Sequence, residues 1–408
     1  MVLEIITFVV LGVLFGVVTG LIPGLHPNNL FVILFSLIPM MSFIPLPHIL
    51  AFSVSLAISN TFVDFIPSIL FGAPEEDSLL SILPGHRMLL EGMGYEALFL
   101  TVVGGMIVVI LTVSTLPIMF YSIPFIYSSI KPVIHLILML VVFWMVITEK
   151  GGKRIYSLLI FLLAGLFGFI VLSSLPSEQT LFPGLTGLFA ISTLLTSIMM
   201  KTRIPEQKIK RDTEADWVRG GIAGWLAGLL AGLLPGIGSS QAGIIASQFL
   251  RAKHKEFMIT LGGINTSNIF FTFVVFYLIG KTRSGAVWFI SQIFGSLTIN
   301  ELYLVIISGM MSAFISVVIT LKLGRFMVSR IKNVNYTRLT TSTIIMLVCL
   351  VFIFSGVVGL LVALTGTFMG LLAIKTKIKR SQLMGFLLFP TIMYYSGFGP
   401  YLLNFLFL

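Results

Sequence analysis

The chain has 408 residues, of which 57% are apolar and only 10% are charged, and its mean hydropathy is +1.09. A soluble globular protein is excluded, because there is too little polar surface to cover one. The net charge of +10 does not indicate nucleic-acid binding, since the Lys and Arg residues fall in short loops between apolar runs.

Long uncharged runs predict an all-α polytopic membrane protein of the cell membrane, with about 10 to 12 membrane segments, some of half length. The N-terminus lacks the basic region of a cleaved signal peptide, so we expect the first segment to remain. Segments in the first half are expected at 5–22, 29–45, 49–72, 97–121, 122–148, 155–175 and 180–200.

Two Pro-Gly breaks interrupt apolar runs in opposite halves of the chain. Gly16-Val-Val-Thr-Gly20-Leu-Ile-Pro23-Gly24 matches Gly228-Leu-Leu-Ala-Gly232-Leu-Leu-Pro235-Gly236 at five of nine positions. A helix broken inside the bilayer leaves backbone groups unpaired unless they face protein, a cavity or a bound solute. The matched breaks therefore predict two re-entrant or broken-helix hairpins around a midplane site, as in secondary transporters. The alternative is that Gly and Pro only allow helices to pack closely.

A polar turn and a new apolar helix follow each break. The N–H groups and positive dipole at a helix N-terminus attract anions, and the Asn and Ser side chains there could also serve as N-caps. The predicted substrate-binding residues are Pro23, Gly24, Asn28, Asn29, Pro235, Gly236, Ser239, Ser240 and Gln241.

Two polar stretches inside apolar segments are candidates for binding a coupling ion. Asn60, Thr61 and Asp64 form the first, and an intramembrane carboxylate usually faces a cavity and pairs with a cation or proton. Asn265, Thr266 and Asn268 form the second, which we expect at an unwound point of its helix. Na⁺ bound by Asn60, Asp64, Asn265 and Asn268 is the one cofactor considered. Structural ion pairing of Asp64, or hydrogen bonding between helices by the Asn, Ser and Thr side chains, is the alternative.

Charged loops predict the topology and the organisation of the chain. Residues 201–216 are predicted to form a cytoplasmic linker between a first membrane repeat at 1–200 and a second at 217–408. The odd number of segments in the first half favours inverted repeats, but charges in the second half balance less cleanly, so parallel repeats stay open. The basic clusters expected in the cytoplasm are Lys150/Lys153/Arg154, Lys201 to Arg211, Arg251/Lys253/Lys255, Lys322 to Arg338 and Lys375/Lys377/Lys379/Arg380.

The remaining polar residues do not indicate a specific function. The acidic loop Glu75-Glu76-Asp77 either lines a vestibule or is simply solvated. Cys349 is the single cysteine, which rules out a disulfide framework, and His135 and Glu301 are assigned no role.

The chain resembles the TctA family, the large permease subunit of tripartite tricarboxylate transporters, in its divergent archaeal-type branch. The resemblance spans most of the chain and rests on both Pro-Gly breaks, on Ser68-Ile-Leu-Phe-Gly-Ala-Pro74-Glu75, on Pro84-Gly85-His-Arg-Met88, on Gly94-Tyr-Glu-Ala97-Leu98 and on Leu185-Thr-Gly187-Leu-Phe-Ala190. The chain departs from the family pattern at Asn60 to Pro67 and at Gly263 to Asn268. The resemblance implies uptake of carboxylate anions with a small membrane subunit and an extracytoplasmic solute-binding protein.

The sequence therefore predicts a non-enzymatic, ion-coupled symporter that transports a small organic anion by alternating access, driven by Na⁺ or H⁺. A channel or a lipid flippase would share the helix breaks and remains the alternative. An intramembrane enzyme is disfavoured because the sequence has no His-Glu-x-x-His, Gly-x-Ser-x-Gly or paired membrane aspartates. A homo-oligomer is compatible with this interpretation.

Overall fold

The computed structural model describes residues 2–22, 27–38, 43–72, 82–149, 151–175, 180–199, 205–209, 214–234, 238–250, 254–331 and 336–407. These residues form helices joined by short turns, as the apolar composition predicts. The helices are α1 (Val2–Leu21), α2 (Pro27–Ser36), α3 (Leu46–Val63), α4 (Phe65–Phe71), α5 (Ile82–Leu90), α6 (Gly94–Ile130), α7 (Ile134–Ile147), α8 (Lys153–Ser174), α9 (Leu181–Leu185), α10 (Ser192–Met199), α11 (Trp217–Leu233), α12 (Ser239–Leu250), α13 (His254–Ile279), α14 (Gly285–Phe294), α15 (Ile299–Ile331), α16 (Tyr336–Lys375), α17 (Gly385–Ser396) and α18 (Gly399–Phe407).

Seven helical stretches of the described chain are long and apolar enough to cross a membrane. The predicted all-α polytopic membrane class is therefore confirmed. The seven stretches are Val2–Leu21, Leu46–Phe71, Gly94–Ile147, Lys153–Ser174, His254–Ile279, Ile299–Arg330 and Thr340–Lys375.

The chain divides into two compact units, and each unit combines one segment from the first half of the sequence with one from the second half. Unit 1 contains residues 1–125 and 203–336, and unit 2 contains residues 126–202 and 337–408. Division of the chain into repeats at 1–200 and 217–408 stays a prediction.

In unit 1, α1 and α3 run parallel and in close contact through three glycines of α1. A Cβ atom at any of these glycines would lie less than 3 Å from a Cβ atom of α3, so the backbones can approach this closely only at glycine. The pairs in chain order are Gly12 with Ser55, Gly16 with Ser59 and Gly20 with Val63. His48 Nε2 also lies 3.4 Å from Glu4 Oε2 near the starts of both helices. Because α1 and α3 are parallel, the C-terminus of α1 and the N-terminus of α3 are separated by about the length of α1, which is about 30 Å at 1.5 Å per residue.

The second half repeats this arrangement in α11 and α13. Gly224 faces Gly263, Gly228 faces Ser267 and Gly232 faces Phe271, again at four-residue steps in the same direction. The glycines that align with each other in the two Pro-Gly motifs thus contact partner helices in one common register. Here α12 lies in the stretch of chain that returns between two parallel helices, as α2 does in the first half.

The crossing helices α3 and α13 run in opposite directions. At one end of the crossing, a Cβ at Gly309 of α15 would lie 2.6 Å from Phe270 Cε1 and 3.5 Å from Val54 Cγ1. Further along α3 in the chain direction, Thr61 contacts Thr266, which precedes Phe270 in α13. Residues nearer the C-terminus of α3 therefore contact residues nearer the N-terminus of α13, so the two helices are antiparallel.

Helix α6 differs from the predicted boundary at 121/122. It continues through Pro117 and Pro124 to Ile130, and a 3-10 turn at Lys131–Val133 separates it from α7. Each proline removes one backbone donor, which bends a helix without necessarily ending it when neighbouring groups support it.

In unit 2, a partly buried arginine supports an irregular helix. The π-helical stretch Thr186–Ile191 joins α9 to α10, and Arg380 Nη2 donates to Leu188 O at 3.1 Å and Phe189 O at 2.8 Å. Burial lowers the pKa of Arg380 to about 10, so its guanidinium remains charged at neutral pH. The charged donor supplies hydrogen bonds to carbonyls where the regular α-helical pattern is lost.

Candidate solute and ion site

The polar stretch of the first half lies where α3 meets α4, inside an almost wholly buried apolar span. Asp64 is the residue between the two helices, with φ −61° and ψ −20°. The junction has a sequence cause, because Pro67 has no N–H to donate to the carbonyl of Val63. The proline therefore loosens the helix next to a buried carboxylate that is 1% exposed.

The polar stretch of the second half lies near the middle of α13, which is continuous from His254 to Ile279. The prediction of an unwound point at Asn265 to Asn268 was therefore wrong. The preceding Gly262 and Gly263 are held in helical form by close packing, since a Cβ at Gly263 would lie 3.1 Å from the Cα of Gly224. Only side chains of this stretch, not freed backbone carbonyls, are available to a ligand.

The two polar stretches meet in the buried interior of unit 1. Asn265 Nδ2 donates to Asp64 Oδ2 at 2.8 Å and lies 3.4 Å from the backbone oxygen of Thr61. The hydroxyl oxygens of Thr61 and Thr266 are 3.1 Å apart. Four of the six residues predicted to bind a coupling ion, taken from sequence positions about two hundred residues apart, are thus brought into one cluster.

The remaining two residues of the predicted ion set, Asn60 and Asn268, connect this cluster to the broken helices. Asn60 Nδ2 donates to Thr19 Oγ1 at 3.2 Å near the end of α1. Asn268 Nδ2 donates to Ser239 Oγ at 3.1 Å at the start of α12. Their positions correspond, since each asparagine directly follows the serine that faces Gly16 or Gly228.

The sequence analysis did not single out Thr19, and it considered Ser59 and Ser267 only for hydrogen bonding between helices. Ser59 Oγ donates to Val13 O at 3.1 Å, whereas Ser267 Oγ lies 2.7 Å from Gly263 O of its own helix and 3.2 Å from Gly224 O of α11. These bonds tie parallel helices together, which is the role that the structural alternative gave to hydroxyl side chains. Thr19 could have been found from its place between Gly16 and Gly20, one helical turn before the break.

Helices end and restart around both Pro-Gly breaks. Helix α1 ends at Leu21 and α2 begins at Pro27, while α11 ends at Leu233 and α12 begins at Ser239. Ser239 and Ser240 are buried at the N-terminus of α12, where Ala242 N donates to Gly238 O at 3.1 Å.

Several residues of the predicted substrate site lie outside the described part of the chain. Pro23, Gly24, Pro235 and Gly236 lie outside the described residues, as do the side chains of Asn28, Asn29 and Gln241 and the acidic loop at 75–77.

The clustered side chains carry oxygen and amide groups rather than thiols or imidazoles. They are the carboxylate of Asp64, the hydroxyls of Thr61 and Thr266 and the amide of Asn265, whose nitrogen faces Asp64. Hard cations prefer oxygen ligands. Within the described residues, no three His, Cys, Asp or Glu side chains are grouped closely enough to hold a metal ion. The N-terminus of α12 lies next to this set, since Ser239 accepts the N–H of Asn268, and helix N-termini are common anion-binding positions in proteins.

The chain is similar to known proteins along most of its length. Residues 6–385 match the family model described as the Tripartite tricarboxylate transporter TctA family. An uncharacterized protein of Methanocaldococcus jannaschii is 30% identical over 398 residues, covering 95% of this chain and 98% of that protein. No solved structure matches the chain.

Proposed function

Since the chain belongs to the tripartite tricarboxylate transporter TctA family, we propose that it carries a small carboxylate anion across the membrane by alternating access, coupled to Na⁺ or H⁺. Its family and the seven apolar helical stretches found among the described residues make it a multi-pass membrane permease. The observation that carries the finer proposal is the contact of Asp64 with Asn265, which joins the two halves of the sequence at a buried carboxylate.

Asp64 binds the coupling ion in this proposal. In the structure, Asn265 presents an N–H to Asp64 Oδ2, which suits an ion-free carboxylate and would repel a cation. Rotation of the Asn265 amide by half a turn would present its oxygen instead, next to the hydroxyls of Thr61 and Thr266. A Na⁺ ion between these oxygens, or a proton on Asp64, then neutralises the carboxylate. An anion that crosses with a cation carries less net charge through the low-dielectric core.

The transported anion binds at the N-terminal end of α12 and, by the correspondence of the two halves, at that of α2. Ser239 links the two sites, because its hydroxyl at the start of α12 accepts the N–H of Asn268, three residues after Asn265. An ion that reorients the amides of α13 would therefore change the anion site directly. Such a contact gives coupled binding a physical route.

The antiparallel crossing of α3 and α13, together with the common glycine register, supports inverted repeats. Inverted repeats let one scaffold adopt two related states that open to opposite faces.

Membership of the family also implies partner proteins, since the family is that of the large subunit of a tripartite system. We propose a small membrane subunit and an extracytoplasmic solute-binding protein as these partners. A homo-oligomer is compatible with the same scheme. Family membership points to a permease rather than an enzyme.

Uptake into proteoliposomes tests the proposal. Purified protein is first screened by thermal shift against di- and tricarboxylates, amino acids and inorganic anions, in NaCl and in choline chloride, because a ligand of the native state raises apparent stability. We expect a carboxylate to stabilise the protein and its saturable uptake to depend on a Na⁺ or pH gradient. Asp64→Asn should abolish coupled uptake while the protein stays folded.

Glu91→Gln is the matched control, because Glu91 is a partly exposed carboxylate that pairs with Arg87 at 2.9 Å on the surface of unit 1. This variant should transport normally. Unchanged coupled uptake by Asp64→Asn would remove Asp64 from the mechanism. Non-saturating flux without a gradient would identify a channel, and movement of labelled lipid between leaflets would identify a flippase.

A further inference from the structure

Positive charge is concentrated in unit 2. Residues 126–202 and 337–408 contain ten Lys and Arg residues but only two Asp and Glu residues, so this unit carries a net +8 of the chain's +10. A topology signal alone needs positive loops on one side of the membrane but does not require them to meet in space.

Five exposed cations of unit 2 come together from two parts of the sequence. They are Lys153, Arg154, Lys375, Lys377 and Lys379, and we call them the basic cluster. Lys153 Nζ donates to the backbone oxygen of Lys377 at 3.2 Å, and Lys379 Nζ donates to Thr148 Oγ1 at 3.3 Å. The start of α8 and the segment after α16 are thereby joined.

The basic cluster keeps its positive charge in the described structure. Lys153 and Lys379 donate to neutral oxygens rather than to carboxylates. Glu149 is only 7% exposed, and its Oε1 accepts the backbone N–H of Lys379 at 3.0 Å. The second carboxylate of the unit, Glu178, lies outside the described residues. One buried carboxylate cannot balance five exposed cations.

Lys377 is held in an unfavourable backbone conformation. Its φ is 56°, and it is the single non-glycine residue with positive φ in the part of the chain that the structure describes. Ile378 N donates to Ala373 O at 3.2 Å and Lys377 N to Ile374 O at 3.1 Å, which is the Schellman ending that normally places glycine at this position. A lysine there costs backbone strain, as conformations held at functional sites often do.

The basic cluster lies where membrane-crossing helices meet the polar boundary of the bilayer. The apolar span of α8 begins at Lys153, and that of α16 ends at Lys375. In the first turn of α8, Ile155 and Tyr156 are 68% and 58% exposed. Cations at this level face lipid headgroups, and the exposed apolar side chains beside them face acyl chains.

We propose that the basic cluster is a binding site for the phosphate headgroup of an anionic phospholipid of the surrounding membrane. The Lys and Arg side chains bind the headgroup phosphate, and the exposed side chains at the start of α8 contact its acyl chains. A lipid bound in this way bridges α8 and α16 within unit 2. The site is separate from the solute site proposed in unit 1 and does not depend on the transport mechanism.

Binding of fluorescent phosphatidylglycerol to the full chain in detergent, with phosphatidylcholine as the reference lipid, tests the proposal. Each basic residue near an anionic membrane surface contributes about 1 kcal/mol. The triple variant K375Q/K377Q/K379Q should therefore bind phosphatidylglycerol on the order of a hundredfold more weakly. The matched control K322Q/R325Q/R330Q removes three exposed cations of α15 in unit 1 and should bind like the parent.

Two further arms distinguish a bound phospholipid from free phosphate and from a purely structural role of Lys377. Inorganic phosphate at the same concentration should neither stabilise the protein as phosphatidylglycerol does nor displace it. Lys377→Gly should bind the lipid more weakly without lowering the apparent Tm in lipid-free detergent, because glycine relieves the strain at φ 56°. Equal losses in both triple variants, no preference for phosphatidylglycerol, or full replacement of the lipid by phosphate would each overturn the proposal.

Discussion

The bond between Asn265 and Asp64 gives the sharpest test of the proposed ion site, because its energy can be worked out from the structure. At 2.8 Å the amide N–H donates to a buried carboxylate oxygen, and a hydrogen bond to a charged group contributes about 1.5 to 3 kcal/mol. The second contact of the same nitrogen, at 3.4 Å, adds little. Asn265→Ala should therefore lower the free energy of unfolding by about 2 to 3 kcal/mol.

The double-mutant cycle with Asp64→Asn isolates this interaction. In the Asp64→Asn background, Asn265→Ala removes only a neutral hydrogen bond, which contributes about 1 kcal/mol. The coupling energy should then be about 1 to 2 kcal/mol, measured by reversible unfolding in mixed SDS and dodecyl maltoside micelles. Asn265→Ala combined with Glu91→Gln is the control and should be additive. Additivity within about 0.5 kcal/mol in the Asp64 cycle would refute a charged interaction at this site.

Three other predictions concern stability. Gly228→Ala should destabilise by about 1 to 3 kcal/mol through overpacking against α13, measured by the same unfolding assay, whereas Gly152→Ala, which meets no atom within 4 Å, should be neutral. Burial lowers the pKa of His86, whose Nδ1 lies 3.2 Å from Ile69 O. Below about pH 6.5 the histidine of the unfolded chain is protonated more readily than that of the folded chain. The free energy of unfolding should therefore fall as the pH drops, by at most about 1.4 kcal/mol per pH unit. His86→Asn should reduce that slope in unfolding measured from pH 7.5 to 5. Arg380→Met should lower the free energy of unfolding by about 3 kcal/mol, because it deletes charged hydrogen bonds to the π-helical carbonyls, and an unchanged value would contradict this role.

The sequence predicted the membrane class and the polar stretches because both depend on local composition. An apolar run of bilayer length, or an aspartate inside one, is visible without any knowledge of tertiary contacts. The contact between Asp64 and Asn265 was not visible, since the two residues lie on opposite halves of the chain and nothing local specifies which helices cross.

Local reasoning also failed where packing overrides propensity. Gly262 and Gly263 favour an unwound backbone in isolation, yet α13 continues through them because neighbouring helices approach closely at these positions. The basic cluster could not be predicted from local sequence either. Lys153 and Lys377 are far apart in the sequence and come into contact only through the fold of unit 2.

Under the proposed repeat, the ion site breaks the symmetry of the scaffold that holds it. Asn60 and Asn268 correspond, but the residue four positions after Asn268 is Thr272, not a carboxylate, and the residue three positions before Asn60 is Ala57. The charged partner thus comes from one half and its amide donor from the other. A single carboxylate contacted from the opposite half makes occupation of the proposed site depend on how the two halves are placed, which is the dependence that alternating access requires.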